Sequence, residues 1–526
     1  MIKKKKNTFS LILNKNLLFL IFLLLITLLS RFLLVKDGLV PFQFDHGKDS
    51  LAVMDMWLNK TPKLIGPWTS IPGLYFGPGW YYLILPSFLF GNWHPMSPVF
   101  LMIFLQLIQI YLAYRFLGKE EAIMITTAPL WIMVATSAWN PFPMTLISLL
   151  ILILIKKFKE KKSAENWELF LISLIASLAF HFSTAFAIFY PFFILFSLFN
   201  YRIKISFRRI FIMFVGFLIP FVPQIIFEFR HDFIELRAII NYLKIGESQN
   251  FNLFKINQIV NAMFDYFKSS VLPTAHYPNL KLFNQLAIMV LFFSILKFVF
   301  NKSKAAKNKF YQNLTLPKEY LLWIILPIFA YSFLHFNIWY ILALTPIFIM
   351  LMGDILRAQS KYFRLFYFGL LFVSLFLKIS FYFTDDRDQL NKVSAMFKPK
   401  MRAIELIRDD AKNFGFNSYH YAPDIYDFSY QYLYFWQALD NKKLPSEFSY
   451  KKNEISYVVQ KNDLLKYFKN QQSVDQINVN YYIVEPAVFN DLLQSWWNDF
   501  DIDNPTNLKE IHSGSDLKIY KELNPI

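Results

Sequence analysis

The feature that most constrains this chain is the repetition of long, nearly charge-free apolar runs through its first 383 residues. The first, residues 17–35, is about 19 residues long, enough to cross a ~30 Å hydrocarbon layer as a helix. Further runs at 97–116, 121–138, 141–156, 167–182, 184–199, 210–228, 282–300, 319–335, 338–353 and 363–383 bring the expected total to about eleven crossings. With 55% hydrophobic residues, they exclude a single soluble core. Runs this continuous lack the alternation of membrane-barrel strands, so the expected class is a polytopic α-helical membrane protein. The absence of Cys excludes disulfides, a thiolate nucleophile and cysteine-ligated metals.

The net charge is +17, but its placement removes nucleic acid from consideration. From Asp385 onward there are 17 Lys and Arg against 21 Asp and Glu, so an excess of +21 lies in the apolar part. It falls on alternate connections: Lys3–Lys6 before the first run, then Arg115 and Lys119, residues 156–162, 202–209, 297–318 and 357–364. The intervening connections near Asn140, His181 and His335 carry no Lys or Arg. By the positive-inside bias the N-terminus is cytoplasmic, and segments 36–96, 229–281 and everything after Phe383 lie outside the cytoplasmic membrane. A cleaved signal peptide is the rival reading of the first run, but the run is too long, is followed by Lys36 and lacks a small-x-small site. Residues 79–91, GWYYLILPSFLFG, are too short to cross and read as interfacial or re-entrant.

After Phe383 the composition becomes that of a soluble domain, so the expected division is a membrane domain, 1–383, and an extracytoplasmic α/β domain, 384–526. Helical patterns at 401–414, 425–439, 462–470 and 487–498 alternate with β-rich runs at 456–459, 481–484 and 517–520. Trp496, Trp497 and the Tyr-rich stretch 419–436 serve either as core and interface anchors or as sugar-stacking faces.

The ionisable residues concentrate in the first outer segment, where Asp45, His46, Lys48 and Asp49 lie within five positions. A helix is expected from Lys48 through Leu58, with Asp45 on the loop before it. A carboxylate at a membrane surface can take the proton of an acceptor hydroxyl, while Lys48 holds a phosphate by charge; the alternative is a solvated loop and helix cap.

FDHGKD at 44–49 and FGPGWYY at 76–82 resemble the GT-C superfamily of membrane glycosyltransferases, which includes protein O-mannosyltransferases and lipid A aminoarabinose transferases. The resemblance covers 1–383 in architecture, and 40–90 and 138–146 in motif. It implies a catalytic role for Asp45, a polyprenyl-phosphate-linked sugar as donor, a glycan, lipid or protein as acceptor, and inversion at the sugar carbon. Three departures stand out. Many relatives have an Asp-Glu pair where this chain has Asp45-His46, and an Arg in place of Lys48. They commonly have a Lys where this chain has Gly77-Pro78. They also have an Asp before a Pro where this chain has Asn140-Pro141, whose amide cannot act as a base.

The second outer segment opens with Glu228, Arg230, His231 and Asp232. Arg230 joins Lys48 as a donor-phosphate ligand in this reading, because Arg suits phosphate at an interface; the alternative is a snorkelling Arg paired with Glu228 or Asp232. Residues 254–267 form an amphipathic pattern expected to lie on the membrane surface. His181 and His335 stand at the outer ends of spans. His46, His181, His231 and Asp45 are ligand types for a divalent metal, but no close two-residue spacing supports a required one. The functional alternatives are a lipid-linked sugar flippase or transporter and an O-antigen ligase or polymerase-like protein. The first needs polar groups at the bilayer middle, where these spans are nearly uncharged.

Overall fold

The structure, a computed structural model, describes residues 15–245, 253–273, 283–286, 288–290, 292, 318–412, 414–423, 426–454, 456–472, 477–502, 508–512 and 514–523. Most of the expected span at 282–300, the basic connection 297–318 and Lys3–Lys6 lie outside the described residues. Among the described residues, five helices are long and apolar enough to cross a membrane: Lys15–Val35, Ser97–Phe116, Phe207–Arg230, Ile338–Arg357 and Lys361–Leu390. Shorter apolar helices accompany them, so the protein is a polytopic helical membrane protein.

In chain order the first eight α-helices are α1 (Lys15–Val35), α2 (Phe44–Leu58), α3 (Gly79–Phe90), α4 (Ser97–Phe116), α5 (Lys119–Thr127), α6 (Pro129–Ala135), α7 (Met144–Lys161) and α8 (Asn166–Leu178). The run at 121–138 is therefore two helical pieces. Pro129 has no N–H, so the carbonyl of Ile125 loses its helical donor, and Ala128 before it takes an extended ψ of 147°. In a bilayer such a carbonyl needs another partner. Gln106 Nε2 donates to it at 3.3 Å and to Trp131 O at 2.6 Å, while Arg31 Nη2 approaches Ile125 O at 3.4 Å. The fully buried Arg31 also donates from Nε to Gln106 Oε1 at 3.0 Å. A charge that reads from the sequence as the end of a span is thus a brace inside the bundle.

The C-terminal region is a mixed sheet of five strands, β1 (Gly415–Tyr421), β2 (Glu447–Ser449), β3 (Ile477–Val484), β4 (Lys509–His512) and β5 (Lys518–Leu523), in the order β2-β1-β3-β5-β4. β1 is parallel to β2 and β3, whereas β5 is antiparallel to β3 and β4. The helices Phe397–Ala411, Phe428–Leu439, Lys461–Tyr467 and Asn490–Asn498 accompany it, close to the expected patterns. The run at 456–459 is a turn instead of a strand, because the Tyr457 hydroxyl is drawn inward to Asp427 Oδ1 at 2.7 Å and accepts from Tyr450 N. Trp496 and Trp497 are buried and belong to the core.

This region is built onto the first outer segment. Phe42 N donates to Ala395 O at 2.9 Å, Phe397 N to Val40 O at 2.9 Å and the Tyr432 hydroxyl to Trp93 O at 2.7 Å. The helix Phe428–Leu439 crosses α2 so closely that a Cβ on Gly47 would stand 2.3 Å from Ser429 N.

Two outcomes test this packing. Gly47→Ala is expected to cost about 1–3 kcal/mol of stability and to open segment 384–396 to protease; an unchanged unfolding midpoint and digestion pattern would contradict the close crossing. Arg31→Met, which leaves Gln106 Oε1 without its donor, is expected to cost about 1–3 kcal/mol in detergent unfolding, and no loss would mean that the brace is dispensable.

Candidate functional site

Asp45 stands in the first turn of α2, not on a loop before it. The Gly47 within DHGKD reads as a helix breaker, but at this position it allows the Phe428–Leu439 helix to approach. A carboxylate there also suits the positive end of the helix dipole. His46 Nδ1 accepts from Gln43 N at 3.3 Å, capping the same end. Burial pulls the His46 imidazole down to about 4 against the opposing charge of Asp45, so it is neutral at neutral pH.

Helical spacing sets Asp45, Lys48 and Asp49 on one side of α2. Lys48 Nζ lies 2.8 Å from Asp45 Oδ1, and Trp139 Nε1 donates to Asp45 Oδ2 at 3.0 Å. Lys48 is buried, with its ammonium over the rings of Phe44 at 5.0 Å and Trp68 at 5.3 Å. The Asp45 side chain keeps 39% of its surface open. Burial opposes its charge, but the Lys48 ammonium and the Trp139 N–H prevail and hold it below the usual carboxylate range. Asp49 is the opposite case. It is buried, accepts from Trp80 Nε1 at 2.8 Å through Oδ2, and has no partner for Oδ1. Burial, with the charge of Asp45 added, pushes it up to about 7 against the pull of Lys48 and Trp80. One helical turn therefore carries a charged, accessible carboxylate and a buried one poised between its two forms.

The other outer residues join these loops together. Asn140 is buried and donates from Nδ2 to Phe182 O at 3.1 Å, fixing the strip that carries Trp139. His181 Nδ1 accepts from Gly79 N at 2.9 Å, at the start of α3. A Cβ on Gly77 would fall 2.2 Å from that imidazole, so this close approach of the loop to His181 requires glycine. Glu228 caps the helix Ile234–Ile245, accepting from Glu235 N at 2.9 Å and Leu236 N at 3.1 Å. His231 stacks on Phe227 at 4.0 Å and shares a 2.9 Å hydrogen bond with Phe227 O. Arg230 is exposed at the end of its helix, and His335 is exposed beyond the Lys318–Phe333 helix. Among the described residues, no hydrogen bond or ion pair joins Arg230 to Asp45 or Lys48, and no group of three or more His, Asp or Glu is gathered as for a metal ion.

The indoles of Trp139, Trp80 and Trp68 are site residues not expected from the sequence, although Trp80 lies inside FGPGWYY and Trp139 directly precedes Asn140-Pro141. Another is Glu235, which is buried, accepts from Tyr75 N at 3.0 Å and is pushed up to about 7 by burial and by Glu228. A cavity of about 1240 Å³ opens between the first helix, the helix Leu253–Val271 and the segment at Trp339. Leu34, Leu39, Leu130 and Ile132 form an apolar part of its wall, and Gln258, Asn261, Lys268 and Lys378 a polar part. Lys268 pairs with Asp265 at 2.8 Å and Lys378 with Asp386 at 2.9 Å. The helix Leu253–Val271, expected on the membrane surface, contributes the first three polar residues and buries Ile259 and Met263. Trp339 lines the cavity and meets Trp139 at 5.5 Å between ring centroids, so two indoles in contact, Trp339 and Trp139, connect the cavity wall to Asp45.

No family model and no curated protein sequence matches the chain. Its structure matches the crystal structure of ArnT from Cupriavidus metallidurans bound to undecaprenyl phosphate, over 96% of this chain and 98% of that one, with a TM-score of 0.56 and 10% sequence identity. The chain has the fold of ArnT. The apo state of ArnT matches over 96% of this chain and 97% of that one, with a TM-score of 0.53 and 11% identity. The architectural resemblance to GT-C aminoarabinose transferases expected from the sequence is therefore present in the structure. With so little identity, the ArnT likeness is one of fold, and this chain's chemistry rests on its own side chains.

Asp49 generates a pH prediction. A carboxyl raised from an ordinary value of 3.8 to about 7 contributes stability that is fully present below the unfolded value and is lost as pH rises through the folded one. The unfolding midpoint of the wild type is expected to fall relative to that of Asp49→Asn between roughly pH 4 and pH 7. Parallel profiles would show that Asp49 does not titrate there.

Proposed function

We propose that this chain is a glycosyltransferase that moves a sugar from a polyprenyl-phosphate donor to a glycan, lipid or protein acceptor at the outer face of the cytoplasmic membrane. The observation that carries the reading is the half-open Asp45 carboxylate, bonded to Lys48 and Trp139, and connected through Trp139 and Trp339 to a large cavity with apolar and polar walls. The undecaprenyl phosphate bound to ArnT supports a polyprenyl-phosphate lipid as the occupant of that cavity. In this reading the N-terminus is cytoplasmic, about eleven spans precede residue 384, and the α/β domain at 384–526 is extracytoplasmic.

The acceptor hydroxyl gives its proton to Asp45 and its oxygen lone pair attacks the anomeric carbon. The bond from that carbon to the phosphate oxygen breaks on the opposite face, its electron pair leaves with the phosphate, and the configuration inverts. Lys48 keeps Asp45 charged until the proton arrives. Once Asp45 is neutral, the Lys48 ammonium is released to the departing phosphate, and Arg230 is assigned to the same anion. Asn140, His181, Glu228 and His231 hold the loops, and His46 caps the helix that presents Asp45. A hexose is the sugar class assigned.

The test is release of polyprenyl phosphate from a panel of polyprenyl-phosphate sugars by the purified chain. Asp45→Asn has no basic carboxylate and is expected to lower turnover by about 10²–10⁴-fold in protein that still folds, with a lower unfolding midpoint because the buried Lys48 loses its counter-charge. Full activity of Asp45→Asn would remove Asp45 from the chemistry. Lys48→Ala and Arg230→Ala are expected to weaken donor binding.

A further inference from the structure

The two oxygens of Asp45 face different neighbours. Oδ2 is bonded to Trp139, which leads through Trp339 into the cavity assigned to the donor. Oδ1 is bonded to Lys48, whose ammonium lies over Trp68. Trp68 is not part of the cavity wall and is 45% exposed. It stands on a short β-ribbon in which Thr69 N donates to Leu74 O at 3.1 Å, Phe76 N to Pro67 O at 2.9 Å and Gly66 N to Phe76 O at 2.7 Å. The ribbon turns at Gly73, with φ at +81°, and is tied to the second outer segment through Tyr75 N and Glu235. A rigid backbone thus presents an indole that the core does not take up. The C-terminal region continues the aromatic surface: Phe428 lies 6.2 Å from Trp68, Phe44 links Trp68 to Tyr426, and Tyr426 stacks on Tyr457 at 4.9 Å with rings 7° apart.

Resting on the glycosyltransferase reading, we propose that this wall, with Trp68 and Tyr426 at its centre, binds the acceptor, and that the acceptor is a carbohydrate. A nucleophile must reach Asp45 from the side that the donor leaves open, and the wall of Trp68 is that side. The chemistry of the wall selects among acceptor classes. A pyranose presents an apolar C–H face that packs on an aromatic ring while its hydroxyls remain at the edge, free to reach a carboxylate. Of the lysines near this wall, Lys48 is assigned to the donor phosphate and Lys63 is bonded to Asp55, so neither is offered to an anionic acceptor headgroup. The C-terminal region, through Tyr426, accordingly forms part of the acceptor site, with the buried Phe428 backing Trp68 from beneath.

The experiment is binding of cello-, malto- and chito-oligosaccharides to the full chain in lipid nanodiscs, read by saturation-transfer NMR, with polyprenyl phosphate binding measured on the same samples. The wild type is expected to bind at least one oligosaccharide. Trp68→Ala and Tyr426→Ala should each weaken that binding about tenfold or more without changing polyprenyl phosphate binding. Trp68→Phe, which keeps a stacking face, should retain most of it and guards against a folding defect in the alanine variant. Binding of none of the probes, or equal binding by Trp68→Ala, overturns the proposal. Saccharide binding through Trp68 without polyprenyl phosphate binding leaves the wall standing as a carbohydrate site and removes the donor reading instead.

Discussion

A carboxylate at the edge of a bilayer keeps its charge only if a counter-charge is fixed beside it, and the Lys48–Asp45 pair is the constraint around which this structure is arranged. The pair spans a single turn of α2, so its geometry needs only that α2 be helical at its first residues. That condition is met by the His46 cap and by the Phe428–Leu439 helix pressed onto Gly47. Lys48 is shielded by Phe44 and Trp68, while Asp45 remains half-open. The same turn then places Asp49 in a dry position, where nearness to Asp45 and burial both favour its neutral form. One helix produces two carboxylates of opposite character because one faces an opening and the other faces Trp80.

The outer loops and the C-terminal region are extensions of this arrangement. Trp139 reaches Asp45 from a strip pinned by Asn140 to Phe182 O, and the residue before Phe182, His181, accepts from Gly79 N. Glu235 and Tyr75 close the circuit from the second outer segment. The C-terminal sheet is a compact unit with buried polar pairs of its own: Lys400 with Glu485, and His420 with Asp427. The Phe428–Leu439 helix beside that sheet packs directly on α2, the helix that carries Asp45.

The helices at 15–35, 97–116, 207–230 and 361–381 lie where the apolar runs predict them, because hydropathy over twenty residues does not depend on which neighbours a helix meets. The breaks were harder to read. Pro129 is visible, but its consequence depends on Gln106 and Arg31, which come from other helices. Asp45, Lys48 and Asp49 were legible as a cluster because they are neighbours in sequence. Trp139 was not, since it lies 94 positions away and only the fold brings it to Asp45. β1, GFNSYHY, is buried along its whole length and lacks the alternation that marks a half-exposed strand. The second outer segment reads as a phosphate-binding cluster by charge, yet Glu228 is committed to a helix cap.

The central claim is that a lipid phosphate reaches Asp45 through the cavity that ends at Trp339. Its most direct test is an electron cryomicroscopy structure of the chain with polyprenyl phosphate. The account predicts the isoprenoid chain along Leu34, Leu39 and Ile132, with the phosphate at the Trp139–Trp339 end beside Lys48 and Asp45. A phosphate bound at the far end of the cavity, or a lipid bound elsewhere with the cavity empty, would contradict it.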